Sequence, residues 1–431
     1  MNAFQLALVP ASRNTKSSEV FGERSSNRPT VSEMLPDLNM EWRHDDGRVV
    51  TVRQADPSDI SAVRRLYFET YGDRYALPEV MDDERSRETV LSPDWVWLIA
   101  LCEGDVVGSV IFAIDHENRL GKSLAGVVSS SFRGQKTMQR MLAVGLDRLL
   151  HEGDVIDEVY AVVRTFVTPA FHRDLLHLGF VDVGVFPNVR KVRRYETHGL
   201  KICVNSRALE RRRRSPKLIR PAIYLYDIAA KRFDLEPPEV DHLAVNRLRK
   251  SIDLRVELSP VAESGVGGVT RNRIKMLRRS SRALKFGFFP FHEANQILSD
   301  PTGQVRVFLS HQPTDGHSSI LGVDPGPYEP VSVLLSVAEY CGERGAVYLE
   351  LLVSAYQPEL QAAAYLAGFL PCAYFLGAQL VNGRRSDIIV TSRTFVPLHF
   401  SGLRLTESTK PYLLEYFKVY TERLWEDLLD A

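Results

Sequence analysis

Val127-Val128-Ser129-Ser130-Ser131-Phe132-Arg133-Gly134-Gln135-Lys136-Thr137-Met138-Gln139-Arg140-Met141-Leu142 is the stretch from which the rest of the chain is read. The apolar run Leu124 to Val128 reads as a strand, and Phe132 to Thr137 as a turn rich in backbone donors. Apolar residues then recur at Met138, Met141, Leu142, Leu146, Leu149 and Leu150, the spacing of one helix face. The order is therefore strand, Arg-Gly turn, helix N-terminus. The first amides of a helix have no partner inside it and lie at the positive end of its dipole, so such a turn suits a phosphate.

Before this stretch, Val49 to Val52 reads as a strand. Asp56-Pro57-Ser58-Asp59 then opens a helix with Ile60, Val63, Leu66 and Tyr67 on one face. A second helix is expected between Pro78 and Leu91. Trp95 to Cys102 and Val106 to Ile114 are β runs joined by Glu103-Gly104-Asp105, and a polar turn leads to a strand from Lys122 to Ser129. After the stretch come a strand from Glu158 to Arg164 and a helix from Pro169 to Leu178 with Thr168 at its N-cap. Gly179-Phe180 closes that helix, and strands follow through Val185 and from Leu200 to Val204.

On these residues the chain resembles the GCN5-related N-acetyltransferases. That family's motif A is Arg or Gln, two residues, Gly, one residue, then Gly or Ala. Arg133 and Gly134 fit, whereas Lys136 and Met138 stand where the two small residues usually are. The resemblance implies acetyl-CoA or another acyl-CoA as co-substrate, with no metal. It assigns the pyrophosphate to Arg133, Gly134, Gln135, Lys136, Thr137 and Met138. It assigns the pantetheine arm to the backbone of Val127, Val128 and Ser129, and it places Thr168 where an Asn often opens the next helix. The loop carrying Tyr71, Asp73, Arg74 and Tyr75 would wall the acceptor cleft, with Tyr71 and Tyr75 as substrate-binding residues. The Tyr that often protonates the leaving thiolate is replaced by Leu175, and the preceding strand offers no carboxylate. Glu158 and Tyr160 are then the catalytic candidates, with His172 and His177 as further groups nearby.

The sequence also repeats. Val163 to Phe186 aligns without a gap with Leu352 to Phe375 at an offset of 189 residues, matching Pro169 with Pro358 and Gly179-Phe180 with Gly368-Phe369. The expected fold is α/β (α+β): two tandem acetyltransferase-like copies, each a mixed, mostly antiparallel splayed sheet flanked by helices. The expected division is a disordered tail over 1–45, an acyl-CoA-binding domain over 46–207 and a basic connector over 208–284. A degenerate second copy over 285–398 and a helical segment over 399–431 complete it. In the second copy Gly322-Val323-Asp324-Pro325-Gly326-Pro327 replaces the Arg-Gly turn. An acid and two prolines there disfavour a diphosphate.

Lys plus Arg and Asp plus Glu number 54 each, so no global field draws the chain to nucleic acid or membrane. The four cysteines, Cys102, Cys203, Cys341 and Cys372, form no CxxC pair, which suits a reducing cytoplasm. No signal peptide or membrane span is expected. Arg190 to Arg220 holds twelve Lys or Arg against two Glu. It reads as a solvated connector or as a site for an anion. The function expected is acyl transfer from CoA to a small-molecule or peptide amine, by direct attack in a ternary complex. The alternatives are a non-catalytic acyl-CoA-binding protein and an aminoacyl-tRNA-dependent transferase. The oligomeric state is left open.

Overall fold

The computed structural model describes residues 39–429, apart from 45, 73–74, 76, 168, 192–193, 250–254, 262–270 and 282. The earlier half contains β1 (Met40–Arg43), β2 (Val49–Gln54), α1 (Ile60–Tyr71), α2 (Pro78–Met81), α3 (Asp83–Leu91), β3 (Trp95–Cys102), β4 (Asp105–Asp115), β5 (Leu120–Val128), α4 (Thr137–Leu146), β6 (Glu158–Arg164), α5 (Pro169–His177), β7 (Val181–Lys191) and β8 (Tyr195–Val204). The middle contributes α6 (Ser206–Glu210), β9 (Lys217–Leu218), α7 (Ile223–Phe233), β10 (Glu239–Val240), α8 (Ala244–Arg249), β11 (Ser259–Pro260) and α9 (Arg271–Ser280). The later half follows with β12 (Gln296–Ser299), β13 (Arg306–Gln312), β14 (His317–Asp324), α10 (Pro330–Glu343), β15 (Tyr348–Ser354), α11 (Pro358–Leu366), β16 (Leu370–Val381), β17 (Arg384–Thr394) and α12 (Lys410–Leu429).

Fifteen of these strands form one sheet, β1-β2-β3-β4-β5-β6-β8-β7-β16-β17-β15-β14-β13-β12-β11. Outward from its middle the same connectivity is traced twice. Within it the parallel pairs are β5–β6 and β14–β15. The repeated helix ends also match. Gly179 and Gly368 take φ +85 and +82, and Phe180 and Phe369 each donate an amide back to the preceding helix, to Leu175 and Ala364. Both phenylalanines are buried.

The halves join through β7 and β16, which run antiparallel with Gly184 opposite Ala373. Ala373 is 189 residues after Gly184, so each repeat offers the same position to the other. A local two-fold axis passes between them, as in a self-complementary dimer contact. The backbones are so close that a methyl group on Gly184 would lie 2.1 Å from the Ala373 Cβ.

Around this seam one apolar core runs through both halves. It joins Val183 and Val185 to Leu225 and Tyr226 of α7, Tyr374 of β16, and Tyr412 and Tyr416 of α12. Charges are buried with it. Arg385 is sealed from solvent and bonds the Gly377 carbonyl at 2.7 Å, Asp157 at 3.2 Å and Glu158 at 3.4 Å. Arg212 clamps Asp387 with contacts of 2.9 and 2.6 Å.

One reading of the chain is corrected. Residues 40–43 were expected in the tail but pair with β2, where Trp42 is the one buried residue. A single inward side chain is too little periodicity to mark a strand. In the basic run at 211–214, Arg212 is buried on Asp387 while Arg211, Arg213 and Arg214 are exposed; its backbone pairs with β17, Arg213 donating its amide to the Arg385 carbonyl and the Arg385 amide donating to the Arg211 carbonyl. The expected tail over residues 1–38 lies outside the described residues. No helix among the described residues is long and apolar enough to cross a membrane.

Candidate active site

β5 carries the site. It pairs with β6 only from Leu120 to Ser123, opposite Glu158 to Ala161, and beyond that the two strands part. On the other edge the ladder to β4 slips between Ser109 and Ile111, so Ala125 and Gly126 together face Val110. This is a β-bulge, with Ala125 at φ +54. Tyr67 of α1 donates its hydroxyl to the Ala125 carbonyl. The same hydroxyl lies 3.4 Å from Ser109 Oγ, to which Trp97 Nε1 donates at 2.8 Å. The peptide is trans, so holding that carbonyl toward α1 turns the Gly126 N–H the other way, toward α4.

The turn follows. Gly134 has φ +78 and Lys136 has φ +60, so a lysine takes the left-handed conformation that glycine occupies without strain. The amides of Gly134, Gln135 and Lys136 make no hydrogen bond among the described residues. Those opening α4 have no partner within the helix. Arg133, Gly134 and Lys136 are exposed, so two cations flank a row of free donors. Arg133 Nε donates to the Val128 carbonyl at 3.1 Å, and Gln135 Nε2 to the Ser131 carbonyl at 3.1 Å. Thr137 is buried and its hydroxyl returns to the Phe132 carbonyl at 3.3 Å.

A diphosphate fits this turn. The arm that would run along β5 meets one obstacle: a methyl group built on Gly126 would come within 3.3 Å of the Met138 methyl. That obstacle is the free end of a flexible side chain, not backbone. The structure therefore brings Val127, Val128 and residues 133–138 together, with one correction. The Ser129 amide is committed to the Val107 carbonyl at 2.9 Å and faces β4, as by alternation does that of Val127 opposite Ser109, so of the three only Val128 turns its amide toward an arm between β5 and β6. Thr168 lies outside the described residues.

The catalytic candidates are displaced. Glu158 pairs with Leu120 at the closed end of the parallel pair, fully buried beside Arg385. Burial raises its pKa to about 8, against the opposing pull of Arg385. Tyr160 sits opposite Lys122, packed edge-on to Phe375 at 5.1 Å. Neither faces the bulge, because the strands separate only after Ala161. Leu175 is buried. His172 is buried with neither ring nitrogen partnered among the described residues, and exposed His177 is bonded to the Arg173 carbonyl at 2.7 Å.

The two tyrosines expected to line the acceptor come together. Tyr71 and Tyr75 stack with ring centroids 5.0 Å apart, and Tyr67 lies 4.7 Å from Tyr75. Asp73 and Arg74 lie outside the described residues. At the parting end of β6, Arg164 makes bonds of 2.7 and 2.6 Å to Glu196 of β8, and His198 Nε2 lies 3.4 Å from Glu196. Burial opposes ionisation of Glu196, yet the bonds from His198 and Arg164 hold its pKa down to about 2. His198 is itself buried, and that burial lowers its pKa. A neutral imidazole oriented by a fixed carboxylate is suited to accept a proton. The sequence reading missed it, although Glu196 and His198 share a sheet face by their two-residue spacing.

The later half closes the equivalent edge with its own chain. β14 and β15 pair from His317 to Ile320, and past that point Lys285 takes the free edge. Its amide donates to the Val323 carbonyl at 2.7 Å, and the Val323 amide donates back at 2.9 Å. Leu284 packs on Gly322, and Ser281 Oγ donates to Asp324 at 2.7 Å. The strand-to-helix turn there spans residues 325–329, against 129–136 in the earlier half.

No family model and no curated protein matches the chain. Solved structures that it is similar to are acetyltransferases. Ribosomal-protein-S5-alanine acetyltransferase from Vibrio fischeri is 16% identical over 39% of this chain and 98% of its own, with a TM-score of 0.34. Mycobacterium smegmatis RimJ in complex with CoA-disulfide is 22% identical over 38% of this chain and 86% of its own, with a TM-score of 0.31. An acetyltransferase of the GNAT family from Streptococcus pneumoniae is 17% identical over 36% and 99%, with a TM-score of 0.32. In fold, the chain is similar to the GCN5-related N-acetyltransferases.

Proposed function

We propose that the protein transfers an acyl group from an acyl-CoA thioester to an amine. One observation carries this reading: the Ala125–Gly126 bulge lies beside a turn whose amides at 134–136 have no partner among the described residues. The turn binds the diphosphate, and the open edge of β5 takes the arm once Met138 swings aside. The Gly126 N–H is directed to where the thioester carbonyl oxygen gains charge, a contribution typically worth about 2.7–4 kcal/mol in other enzymes. The amine, entering past Tyr71 and Tyr75, loses a proton to His198 and attacks the carbonyl carbon. The C–N bond forms, the C–S bond breaks, and CoA leaves as thiolate. Thiolate is a fair leaving group, and orientation supplies much of the acceleration, so Leu175 in place of an acid is tolerable. Calorimetry with acetyl-CoA and CoA tests the reading, followed by free-thiol release over an amine panel. No heat at millimolar ligand removes it.

A second reading, binding of acyl-CoA without turnover, is favoured by Met138 over Gly126 and by Leu175. Heat of binding with no thiol release from any amine would decide for it. The tRNA-dependent alternative has no specific observation in its favour, and of the basic run that suggested it Arg212 is committed to Asp387.

A further inference from the structure

The two outer strands of the sheet are guarded differently. β11 ends the later half with Pro260, which has no amide to offer a neighbour. β1 ends the earlier half with Met40–Arg43 and pairs with β2 alone. His44 donates its amide to the Arg48 carbonyl at 2.8 Å, so by alternation Trp42, opposite Val50, is also bonded to β2. The N–H and C=O of Glu41 and Arg43 then point away from the sheet, and no backbone group among the described residues meets them. Both side chains are exposed, on the face opposite Trp42. That of Arg43 donates to the Gly47 carbonyl at 3.0 Å, and that of Glu41 makes no hydrogen bond or ion pair among the described residues.

We infer that β1 is a docking edge for a second copy of this chain, the two β1 strands pairing antiparallel about a two-fold axis at Trp42. Register decides the occupant. A symmetric pair centred on residue 41 would set Glu41 against its own copy, and one centred on residue 43 would do the same to Arg43; like charges directly opposite are unfavourable. Centred on Trp42, Glu41 lies opposite Arg43 of the partner subunit, and the same holds on the other side of the axis. Each such pairing exchanges both N–H···O bonds, so every outward group of the two residues is used. An acidic or a basic strand from elsewhere would satisfy one of the two charges; a copy of β1 satisfies both. The two Trp42 residues would meet on the face that carries α4, with Cα atoms about 4.5 Å apart. There Trp42 is buried beneath the Arg140 guanidinium, 5.2 Å away, and belongs to the apolar cluster of the earlier half. Those clusters would adjoin across the axis. Pairing of this kind is independent of the acyl transfer proposed above.

Sedimentation equilibrium of the full chain, from about 1 μM to about 1 mM, reads the association. A strand this short buries little, so the wild type is expected to dimerise with a Kd of about 10–500 μM. Glu41→Arg sets like charges opposite each other in both pairings and should weaken the dimer about 10–50-fold. Adding Arg43→Glu to that variant restores unlike charges and should return the Kd to within about threefold of the wild type. Glu41→Pro removes an outward amide that β2 does not use, so the melting temperature should hold while dimerisation is lost. A wild type that stays monomeric to about 1 mM overturns the inference. So does a Glu41→Arg dimer as tight as the wild type, or a double variant no tighter than Glu41→Arg.

Discussion

In the proposed transfer, Met138 and His198 are the two side chains on which the rate would turn. Met138 ends in a flexible methyl over Gly126, beside the strand along which the proposed arm would run. Met138→Ala is expected to tighten CoA binding about tenfold, worth about 1.4 kcal/mol, since the ligand no longer displaces that tip. Calorimetry on the two proteins checks this, and weaker binding would mean that the methionine is a contact rather than an obstacle. His198→Gln keeps a polar group beside Glu196 but cannot carry a proton at neutral pH. It should lower kcat about 10²–10⁴-fold with little change in KM for acetyl-CoA. Burial lowers the His198 pKa, so the imidazole stays neutral to below its ordinary value. The acid limb of the wild-type rate profile is then expected below about pH 6.5, and the limb should vanish in the variant's residual rate.

At the scale of elements, the packing of β7 on β16 admits a sharp test. A methyl group at Gly184 would stand 2.3 Å from the Ala373 Cα as well as 2.1 Å from its Cβ. Backbone must move to admit it, so Gly184→Ala should cost about 3 kcal/mol or more. Gly199 on neighbouring β8 has nothing nearer than 3.8 Å to a built methyl, so Gly199→Ala serves as the control, within about 1 kcal/mol of the wild type. Denaturant midpoints of the two variants check the contrast. Elements were also where the sequence was most readable. The strand, Arg-Gly turn and helix stand where Leu124, Gly134 and Met138 placed them, and the Gly-Phe helix ends recur in the same conformation. What escaped was two-sided. The bulge at Ala125 depends on β4 opposite it, and the pairing of Glu196 with Arg164 joins β8 to β6. Glu158 and Tyr160 misled because being on the right strand does not fix how far along it the strands part.

For the whole molecule, the seam couples folding to pH. Glu158 lies beside Arg385 with Asp157 and Asp387 acting on it, and burial raises its pKa from 4.5 to about 8. A carboxyl with a raised folded-state pKa stabilises while protonated. That contribution is whole below pH 4.5 and is lost as pH climbs through about 8. Glu158→Gln keeps the neutral form at every pH. It should match the wild type under acid conditions and surpass it as pH rises. The gap is expected to widen by up to about 1.4 kcal/mol per pH unit across that window. Melting temperatures of both proteins from pH 4.5 to 9 test this, and a constant difference would show that Glu158 is ionised throughout. Since one of the apolar clusters runs through both halves, a single transition is expected in each melt.

The meeting of Gly184 with Ala373 has a consequence for what such a chain can become. Two identical subunits facing each other this way must accept every mutation twice, once on each side. Covalent fusion lifts that obligation. One half is then at liberty to plug its own slot with Leu284 and Lys285 and turn into a wall, while its sibling keeps an unfilled one. A cleft furnished differently on its two flanks is something no symmetric pair can build.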